Sequence, residues 1–391
     1  MIEGEDFEFI NPTSSDSIIT ALGVGGGGSN AVNHMFQQGI RDVEFVICNT
    51  DLQALKSGSV ERKLQIGKEL TDGRGVGANP TKGRDAALES AEEIRNMLAK
   101  DTKMLFITAG LGGGTGTGAS PEIAKIAREM DILTVGIVTL PFEFEGNQKM
   151  FRAQEGLKLL KENVDATLVI LNERLFEFYG KLGLSEAFAK ADDVLTKVAK
   201  GIAEMITVPG RINLDFEDVK TVMKDSGEVV MGIAEAYGED RARRVVEDAI
   251  NTPILSKNGL NGAKNILFQV MCGQTEPLQT DEIEKISAAI RTYTQYEHKE
   301  MIFGYTEDHP ELGNKISLTI VGTGFTNKEG EPASLKVEKR VKKENKNNEN
   351  KDKFSLFGKP TSIPIDKEVE IEELDGMATA LRPKYHQNTQ S

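Results

Sequence analysis

The sequence is poor in the residues that mark several common classes of protein. It has no tryptophan, four histidines and two cysteines among 391 residues. Both cysteines, Cys48 and Cys272, lie in apolar runs, which favours buried reduced thiols over a disulfide and therefore a cytoplasmic protein. With so few histidines, and with no HExxH, Ser-His-Asp or other metal-ligand spacing, the metalloprotease and serine-hydrolase classes have little support.

Excess positive charge and long apolar runs are also lacking. The formal net charge of -14 has the wrong sign for a general nucleic-acid binder, although a nucleotide is compatible if backbone amides or a metal meet its phosphates. The acidic first twenty residues have no secretory signal, and no run of about 18 apolar residues is long enough to span a membrane. We therefore expect no nucleic-acid partner and no direct membrane insertion.

What the sequence does contain, from Ile18 to Asn172, is an alternation of apolar strand-like runs with helical periodicity. One helix is predicted across Leu88–Leu98, and another is predicted to start at Pro121 with Ser120 as its N-cap. Strands that alternate with helices predict an α/β fold with a doubly wound parallel sheet, in which ligands bind at the carboxyl ends of strands. The predicted strands are 18–24, 43–49, 104–109, 133–140 and 167–172.

A long helix and a second domain are predicted next. Residues 185–208 carry apolar side chains every three or four positions and contain no proline, which predicts a helix of about 30 Å, long enough to cross a small domain. This helix joins the first domain to a smaller α/β domain at 209–325. The elements predicted there are helices near 216–223, 239–250 and 280–294 and strands at 265–273 and 315–322.

The two ends of the chain are predicted to be unstructured. Residues 1–17 are predicted to be a flexible segment. Residues 326–391 lose the apolar periodicity and become strongly charged, so they cannot bury enough apolar area to offset chain entropy and are predicted to form a disordered linker and tail. Within the tail, Phe354–Phe357 and Leu374–Leu381 are candidate docking segments, and a plain solubilising tail is the alternative for each.

Two glycine-rich clusters follow predicted strands. The first has Gly23, Gly25 and Gly28 at the spacing of a dinucleotide fingerprint, with Asp51 after the next strand, and it has no Lys-Ser/Thr pair of the Walker type. The second, Gly112–Gly118, has five glycines and two threonines. Two such loops could hold a di- or triphosphate from two sides through backbone N–H groups and threonine hydroxyls. A structural turn and an NAD-binding oxidoreductase that uses the first cluster remain the alternatives.

Six motifs occur in one order along the chain: Gly23–Asn33, Asn49–Leu55, Gly77–Pro80, Gly112–Gly118, Pro141–Gly146 and Asn213–Asp218. Together they resemble the tubulin/FtsZ family, and the resemblance covers roughly residues 18–325. It implies a self-polymerising GTPase with GTP or GDP and Mg²⁺ as ligands, in which residues 18–184 form the GTP-binding domain, 185–208 the central helix and 209–325 the C-terminal activation domain.

The resemblance also implies which residues bind the nucleotide. Residues 113–118 would hold the α- and β-phosphates, Gly77 and Ala78 would lie near the γ-phosphate, and Glu145 would contact the ribose. The guanine pocket would use Asn172, Phe188 and Asp192, where an Asp acceptor favours GTP over ATP, although Phe188 could equally be core. The full set is Gly26, Gly27, Gly28, Ser29, Asn30, Gly77, Ala78, Gly113, Gly114, Thr115, Gly116, Thr117, Gly118, Glu145, Lys149, Asn172, Phe188 and Asp192.

Lys149 departs from the pattern of the family, which most often has arginine four residues after the ribose-contacting acid. Lysine keeps the positive charge but loses the planar fork of a guanidinium group. We expect nucleotide binding to survive with altered contacts, or Arg152, one helical turn later, to contribute.

Hydrolysis is implied for a third region. Asp215 and Asp218 are three residues apart at a predicted helix start, where capping alone is the usual explanation. By the resemblance, Asn213, Asp215 and Asp218 would instead orient water at the γ-phosphate of a neighbouring copy. Because that contact is head-to-tail and does not close, the copies would form filaments that build the cytokinetic ring. An accessory protein that binds nucleotide without turnover is the alternative.

The resemblance further implies partners and a location. The filament would lie at the division site on the inner face of the cytoplasmic membrane, held there by membrane-tethering and regulatory division proteins that bind the C-terminal tail. The tail contains only fragments of the family's usual docking peptide, in 362–374 and 380–385.

Overall fold

The computed structural model describes residues 17–99, 101–180, 182–252, 259–295 and 300–325. The predicted flexible segment 1–17, apart from Ser17, lies outside the described residues. The predicted tail at 326–391, with both candidate docking segments, also lies outside them. The predicted division into domains stays a prediction.

Seven parallel strands form the larger sheet, in the order β3-β2-β1-β4-β5-β6-β7. The order turns back between β1 and β4, which makes the crevice at their carboxyl ends the expected ligand site. The predicted doubly wound sheet is confirmed, and the two short edge strands, β3 and β7, were not predicted. The strands are β1 (Ile19–Val24), β2 (Val43–Asn49), β3 (Lys63–Gln65), β4 (Met104–Gly110), β5 (Leu133–Leu140), β6 (Ala166–Leu171) and β7 (Gly227–Glu228).

Helices cover this sheet, whose interior strand β1 is buried along its whole length, as expected for a parallel strand packed on both faces. A short 3-10 turn, Glu143–Glu145, precedes one of them. The helices are α1 (Gly25–Gln37), α2 (Leu52–Ser57), α3 (Lys68–Thr71), α4 (Pro80–Glu89), α5 (Ala91–Leu98), α6 (Thr115–Glu129), α7 (Asn147–Lys161), α8 (Asn172–Tyr179) and α9 (Leu184–Thr207).

The predicted start of α6 is wrong. The helix begins at Thr115, inside the glycine cluster, and Pro121 lies within it. Ser120 is not the N-cap, because its hydroxyl donates to the carbonyl of Gly116 at 2.6 Å within the helix. The glycine cluster was interpreted as a loop before the helix, but its second half is the first turn of the helix itself.

The single helix predicted across Leu88–Leu98 is also wrong. The chain leaves helical geometry at Ser90 (φ -100°, ψ 24°), which separates α4 from α5. The hydroxyl of Ser90 accepts a hydrogen bond from the amide of Gly67 at 3.1 Å. Leu88 is 52% exposed, so it does not belong to the buried stripe that the spacing suggested.

A smaller four-stranded sheet has the order β10-β9-β11-β8. β10 is parallel to β9, and the other neighbours are antiparallel. The strands β8 and β10 were not predicted. The elements of this region are the strands β8 (Val230–Tyr237), β9 (Asn265–Cys272), β10 (Glu300–Thr306) and β11 (Lys315–Thr323) and the helices α10 (Phe216–Met223), α11 (Arg241–Ile250) and α12 (Thr280–Thr294).

The long helix α9 packs into a core shared by both sheets. One buried cluster contains Ile202 of α9, Ile137 of the larger sheet and Leu267 of the smaller sheet. Cys48 and Cys272 are buried and free, as predicted, and burial raises the pKa of the Cys48 thiol to about 12. Across the described ranges, none of the helices has both the length and the apolar content to cross a bilayer.

Candidate functional site

A cavity of about 540 Å³ opens at the carboxyl ends of the parallel strands. Asn49 at the end of β2, Gly110 at the end of β4, Thr139 of β5 and Asn172 just after β6 all line it. This is the position at which the doubly wound topology predicts a ligand.

Most of the residues predicted to bind nucleotide line this cavity. Those that do are Gly26, Gly27, Asn30, Gly77, Gly113, Gly114, Thr115, Gly116, Glu145, Lys149, Asn172, Phe188 and Asp192. Those that do not are Gly28, Ser29, Ala78, Thr117 and Gly118, together with the predicted catalytic residues Asn213, Asp215 and Asp218. Lining residues that were not assigned to the nucleotide site are Asn49, Thr50, Asp51, Ala54, Arg74, Gly75, Val76, Gly110, Leu111, Thr139, Pro141, Ala191 and Leu195.

The missed residues differ in the signal that could have found them. Asn49, Thr50 and Asp51 belong to a motif that directly follows β2, and a polar run at the carboxyl end of a parallel strand is itself a site signal. Arg74 and Gly75 come from the segment between α3 and α4, which has no periodicity that would place it against the cavity. Their position depends on tertiary packing.

The glycines of the two clusters have two different structural roles. A Cβ added to Gly26 or Gly113 would meet no atom within 4 Å, so these positions leave room beside the backbone. A Cβ on Gly28 would run into the carbonyl oxygen of Thr108, and one on Gly118 into that of Pro80. These glycines allow close backbone packing, a requirement that the phosphate interpretation did not include.

The N-termini of α1 and α6 meet at the cavity. A Cβ on Gly25 would lie 2.7 Å from the amide nitrogen of Gly116, and Gly25 has a φ of +72° that favours glycine. The first amides of a helix have no partner within the helix, and the helix dipole adds partial positive charge there. Two converging helix N-termini can therefore bind a polyphosphate without a lysine-containing P-loop.

The two threonines of the second cluster are engaged in hydrogen bonds. The buried hydroxyl of Thr117 accepts from the amide of Gly112 at 2.8 Å, which folds the loop back onto the start of α6. The hydroxyls of Thr115 and Thr50 lie 2.8 Å apart. Thr117 was expected to offer its hydroxyl to phosphate, and that role stays a prediction. In the structure its oxygen holds the loop, and Thr117 is not among the residues that line the cavity.

A polar and aromatic pocket lies at the amino end of α9. Phe188 is 40% exposed, lines the cavity and contacts Phe142 edge-on, with ring centroids 5.3 Å apart, so it is not a core residue. Oδ1 of Asn172 is buried and has no hydrogen-bond partner among the described residues. Burial raises the pKa of Asp192 to about 6, a shift that the charge of His34 opposes.

Lys149 and Arg74 bring positive charge to the cavity, and Lys149 forms an ion pair with Glu145. Glu145 also accepts a hydrogen bond from the amide of Phe142 at 2.9 Å. Arg152 does not line the cavity. Its guanidinium group donates to the carbonyl of Ala78 at 2.7 Å, which ties α7 to the segment that contains Gly77.

The three predicted catalytic side chains lie beyond the opposite end of α9. Asp215 accepts from the amide of Asp218 at 2.9 Å, and Asp218 accepts from the amide of Asp215 at 3.0 Å, which makes a capping box for α10. Asn213 accepts from the amide of Gly210 at 2.6 Å. The capping explanation therefore describes the local geometry, but it uses only one oxygen of each carboxylate.

The dinucleotide alternative is not supported by the arrangement around Asp51. Its Oδ1 accepts from the amides of Gln53 at 2.9 Å and Ala54 at 3.1 Å as the N-cap of α2. The second glycine cluster lies in the same cavity as the first, whereas a dinucleotide fingerprint uses one such loop.

Comparisons with known proteins identify one family. Residues 18–180 match the GTPase domain of the tubulin/FtsZ family, and residues 227–326 match the C-terminal domain of the FtsZ family. The cell division protein FtsZ of Porphyromonas gingivalis is 47% identical over 326 residues, which is 81% of this chain and 70% of that protein. The one from Aquifex aeolicus is 42% identical over 341 residues, with coverage of 87% and 90%.

Solved structures give the same result. An FtsZ dimer of M. jannaschii superposes with a TM-score of 0.70 at 41% identity, covering 79% of this chain and 88% of that one.

Proposed function

Since the chain belongs to the tubulin/FtsZ family and is a GTPase that forms the cell-division ring, we propose that its active site is assembled from two copies. One copy supplies the cavity at the amino end of α9, which binds the nucleotide. The next copy supplies Asn213, Asp215 and Asp218 from the carboxyl end of its own α9. GTP would then be hydrolysed only at the contact between copies.

The separation of these two regions by one continuous helix is the observation that carries the proposal. Asp192 lines the cavity, and α9 continues from it to Thr207 without a break. At 1.5 Å per residue this part of the helix is about 22 Å long. Because α9 is packed into the shared core, it cannot bend to bring Asp215 to the cavity of its own chain.

Each part of the cavity suits one part of GTP. The amides at the starts of α1 and α6 would receive the phosphates, and Glu145 would receive the ribose hydroxyls. Asn172 has an acceptor without a partner, Asp192 can accept from the guanine N1–H and exocyclic amine, and Phe188 offers a ring face for stacking. Adenine has no donor pair at these positions, so the proposal includes a preference for GTP.

The carboxylates of the next copy would polarise and orient the attacking water. Each capping-box carboxylate has a second oxygen that can face the water, while the helix-start amides stabilise charge on the transferred phosphoryl group. Asn213 is held by Gly210 and would orient the same water through its NH₂ group. Loss of the γ-phosphate would remove the group that both copies contact, which weakens the filament after hydrolysis.

Mg²⁺ fits this site as an ion held mainly by the nucleotide. No three His, Cys, Asp or Glu side chains among the described residues are grouped to hold a metal ion, but Thr50, Asp51 and Thr115 bring oxygen atoms to the cavity wall. Mg²⁺ usually keeps several waters and takes only one or two protein ligands beside phosphates. It would supply neutralisation of the phosphate charge.

Phosphate release measured across protein concentration, with sedimentation under GTP and under GDP, tests this proposal. We expect the rate per subunit to be negligible below a threshold and to rise steeply above it, with pelleting in GTP at the same threshold. A rate per subunit that stays constant down to monomeric dilution would refute a shared site. A chain that binds GTP but never hydrolyses it would instead support the accessory-protein alternative.

The partners and the location follow from the same proposal. The homopolymer would be head-to-tail, because the cavity of one copy meets the opposite end of the next. Membrane-tethering and regulatory proteins would bind the C-terminal tail and hold the filament at the division site on the inner face of the cytoplasmic membrane.

A further inference from the structure

The loop that carries the proposed catalytic side chains is joined to the edge strand of the smaller sheet. We propose that Gly304 and Tyr305 of β10, with Glu307 just after this strand, position residues 210–215 for hydrolysis, so that these three are positioning residues of the GTPase reaction. This inference rests on the proposed function of Asp215. It adds that the smaller sheet controls turnover without touching the nucleotide.

Backbone hydrogen bonds form the first part of this connection. The carbonyl of Tyr305 accepts from the amides of Arg211 at 2.8 Å and Ile212 at 3.2 Å, and the amide of Tyr305 donates to the carbonyl of Ile212 at 2.9 Å. Ile212 and Tyr305 thus form an antiparallel bridge on the outer edge of β10. The loop is paired as a short extra strand would be.

Two glycines allow the loop to approach this closely. A Cβ on Gly304 would lie 2.7 Å from Cγ and 2.9 Å from Cδ1 of Leu214, the residue between Asn213 and Asp215. A Cβ on Gly210 would run into the carbonyl oxygen of Tyr305. Leu214 is buried in the shared core, so its side chain cannot move away freely, and a shift of Leu214 must displace its two neighbours.

An ion pair adds a third connection on the surface. Arg211 donates to Glu307, the residue that follows β10. Near the other end of the segment, the carbonyl of Val222 accepts from the hydroxyl of Thr323 in β11 at 2.9 Å, and Lys224 lies 3.0 Å from Asp131 just before β5. The segment 210–224 is thus held against the smaller sheet near both ends, and its proposed catalytic carboxylates lie near the start.

The physical consequence concerns geometry rather than binding. A misplacement of about 1 Å of a catalytic group can lower a rate by about a hundredfold. The cavity contains no residue of β10, so a change at Gly304 should leave GTP affinity intact. The catalytic loop and the cavity therefore respond to different parts of the molecule.

Gly304→Ala in the full chain tests the inference, with Gly322→Ala in β11 as a matched control. A Cβ on Gly322 would lie 2.6 Å from Cδ2 of Leu260, so both changes press on one leucine beside the same sheet, but Leu260 is distant from the loop in sequence and does not flank Asp215. For Gly304→Ala we expect GTP affinity within twofold of the parent chain and phosphate release per sedimented subunit lowered about tenfold or more. For Gly322→Ala we expect the parent rate. Equal rates per sedimented subunit for the two variants would overturn the inference.

A second pair of variants keeps the test open if Gly304→Ala does not fold. Arg211→Glu and Glu307→Arg each place like charges together on the surface, and the double variant restores an opposite pair. We expect each single change to lower phosphate release per sedimented subunit about two- to threefold at low salt, and the double change to restore most of it. Single variants with the parent rate would argue against the inference.

These outcomes separate the inference from the proposed function. If Asp215→Asn hydrolyses GTP at the parent rate, the proposed function fails, whatever the behaviour of Gly304→Ala. If Asp215→Asn is inactive while both Gly304→Ala and the charge reversals have the parent rate per sedimented subunit, only the positioning role of β10 is overturned.

Discussion

The two ends of α9 differ in how their functional groups are held. At the amino end, the cavity lies where two helix N-termini pack against each other at Gly25 and Gly116. At the carboxyl end, Asp215 is exposed, and its carboxylate accepts a hydrogen bond from the amide of Asp218 in the first turn of α10. In the proposed function, one end is a preformed ligand site, and the other acts on the nucleotide of a second copy.

This difference predicts which property a mutation in each region should change. The cavity depends on interior packing and on helix amides, so changes there should alter affinity. The carboxyl end depends on loop placement by the edge of the smaller sheet, so changes there should alter turnover at unchanged affinity. A mutation that changed GTP affinity and turnover together would contradict this comparison.

The largest effect is expected from Asp215→Asn. Asparagine caps helices as well as aspartate does, so α10 should keep its start while the loop loses one carboxylate charge. We expect phosphate release to fall by about a hundredfold or more, with GTP affinity unchanged and filaments that persist after GTP addition. Sedimentation with phosphate release and equilibrium GTP binding measures all three.

Glu217→Gln is the matched control for this change. Glu217 is exposed in the same first turn of α10 but takes no part in the capping box. We expect turnover within about twofold of the parent chain, as is usual for a surface substitution. If Asp215→Asn instead lost GTP binding, the residue would act in the cavity of its own chain and the contrast between the two ends would be wrong.

Most of the fold could be predicted because buried parallel strands are continuous apolar runs. The strands β1, β2, β4, β5 and β6 are of this kind. β8 and β10 were missed because glycine and polar residues interrupt their apolar runs. These residues lie where one face or one edge of the strand contacts another element. Gly304 is one example, since its glycine is explained only by the approach of Leu214.

The cavity could be predicted from glycine clusters and strand ends, whereas the carboxyl end could not. Asp215 and Asp218 form an ordinary capping box, and nothing local distinguishes it from any other helix start. Only the resemblance to a family suggested catalysis there. The roles assigned to individual residues at both ends stay predictions until the measurements proposed above are made.

A smaller effect, confined to the amino end, is expected from Thr117→Val. Valine keeps the shape of the side chain but leaves the amide of Gly112 without the acceptor that now lies 2.8 Å away. An unsatisfied buried amide costs about 1–3 kcal/mol. Because nucleotide binding would have to order the loop again, we expect GTP affinity to fall about tenfold, with hydrolysis per assembled subunit unchanged once GTP is saturating.

Two variants sharpen this test. Thr117→Ser keeps the hydroxyl and should restore affinity to within about twofold. Ser120→Ala removes another buried hydroxyl from the same helix, one that donates to the carbonyl of Gly116 and not to the loop, and should leave affinity unchanged. If Ser120→Ala weakened GTP binding as much as Thr117→Val, the effect would reflect the stability of α6 and not the position of the loop.

The smallest effect expected is a pH dependence of nucleotide affinity at the amino end. The pKa of Asp192 is raised to about 6 by burial, and the proposed contact with guanine needs the carboxylate. Protonation therefore removes the binding-competent form as pH falls through 6, and affinity should be fully present above that range. If only the ionised form binds, the dissociation constant rises about fourfold between pH 7.5 and 5.5.

The control variant for this pH dependence must keep every other group that takes up a proton in this pH range. The terminal phosphate of the nucleotide also takes up a proton near pH 6. Asp192→Asn keeps this phosphate unchanged and removes only the carboxylate, so the difference between its pH profile and that of the parent chain isolates Asp192. Parallel profiles from pH 5.5 to 7.5, measured by equilibrium GDP binding, would show that guanine recognition does not depend on this carboxylate. The amino end of α9 would then contribute shape and stacking through Phe188 but no charged acceptor.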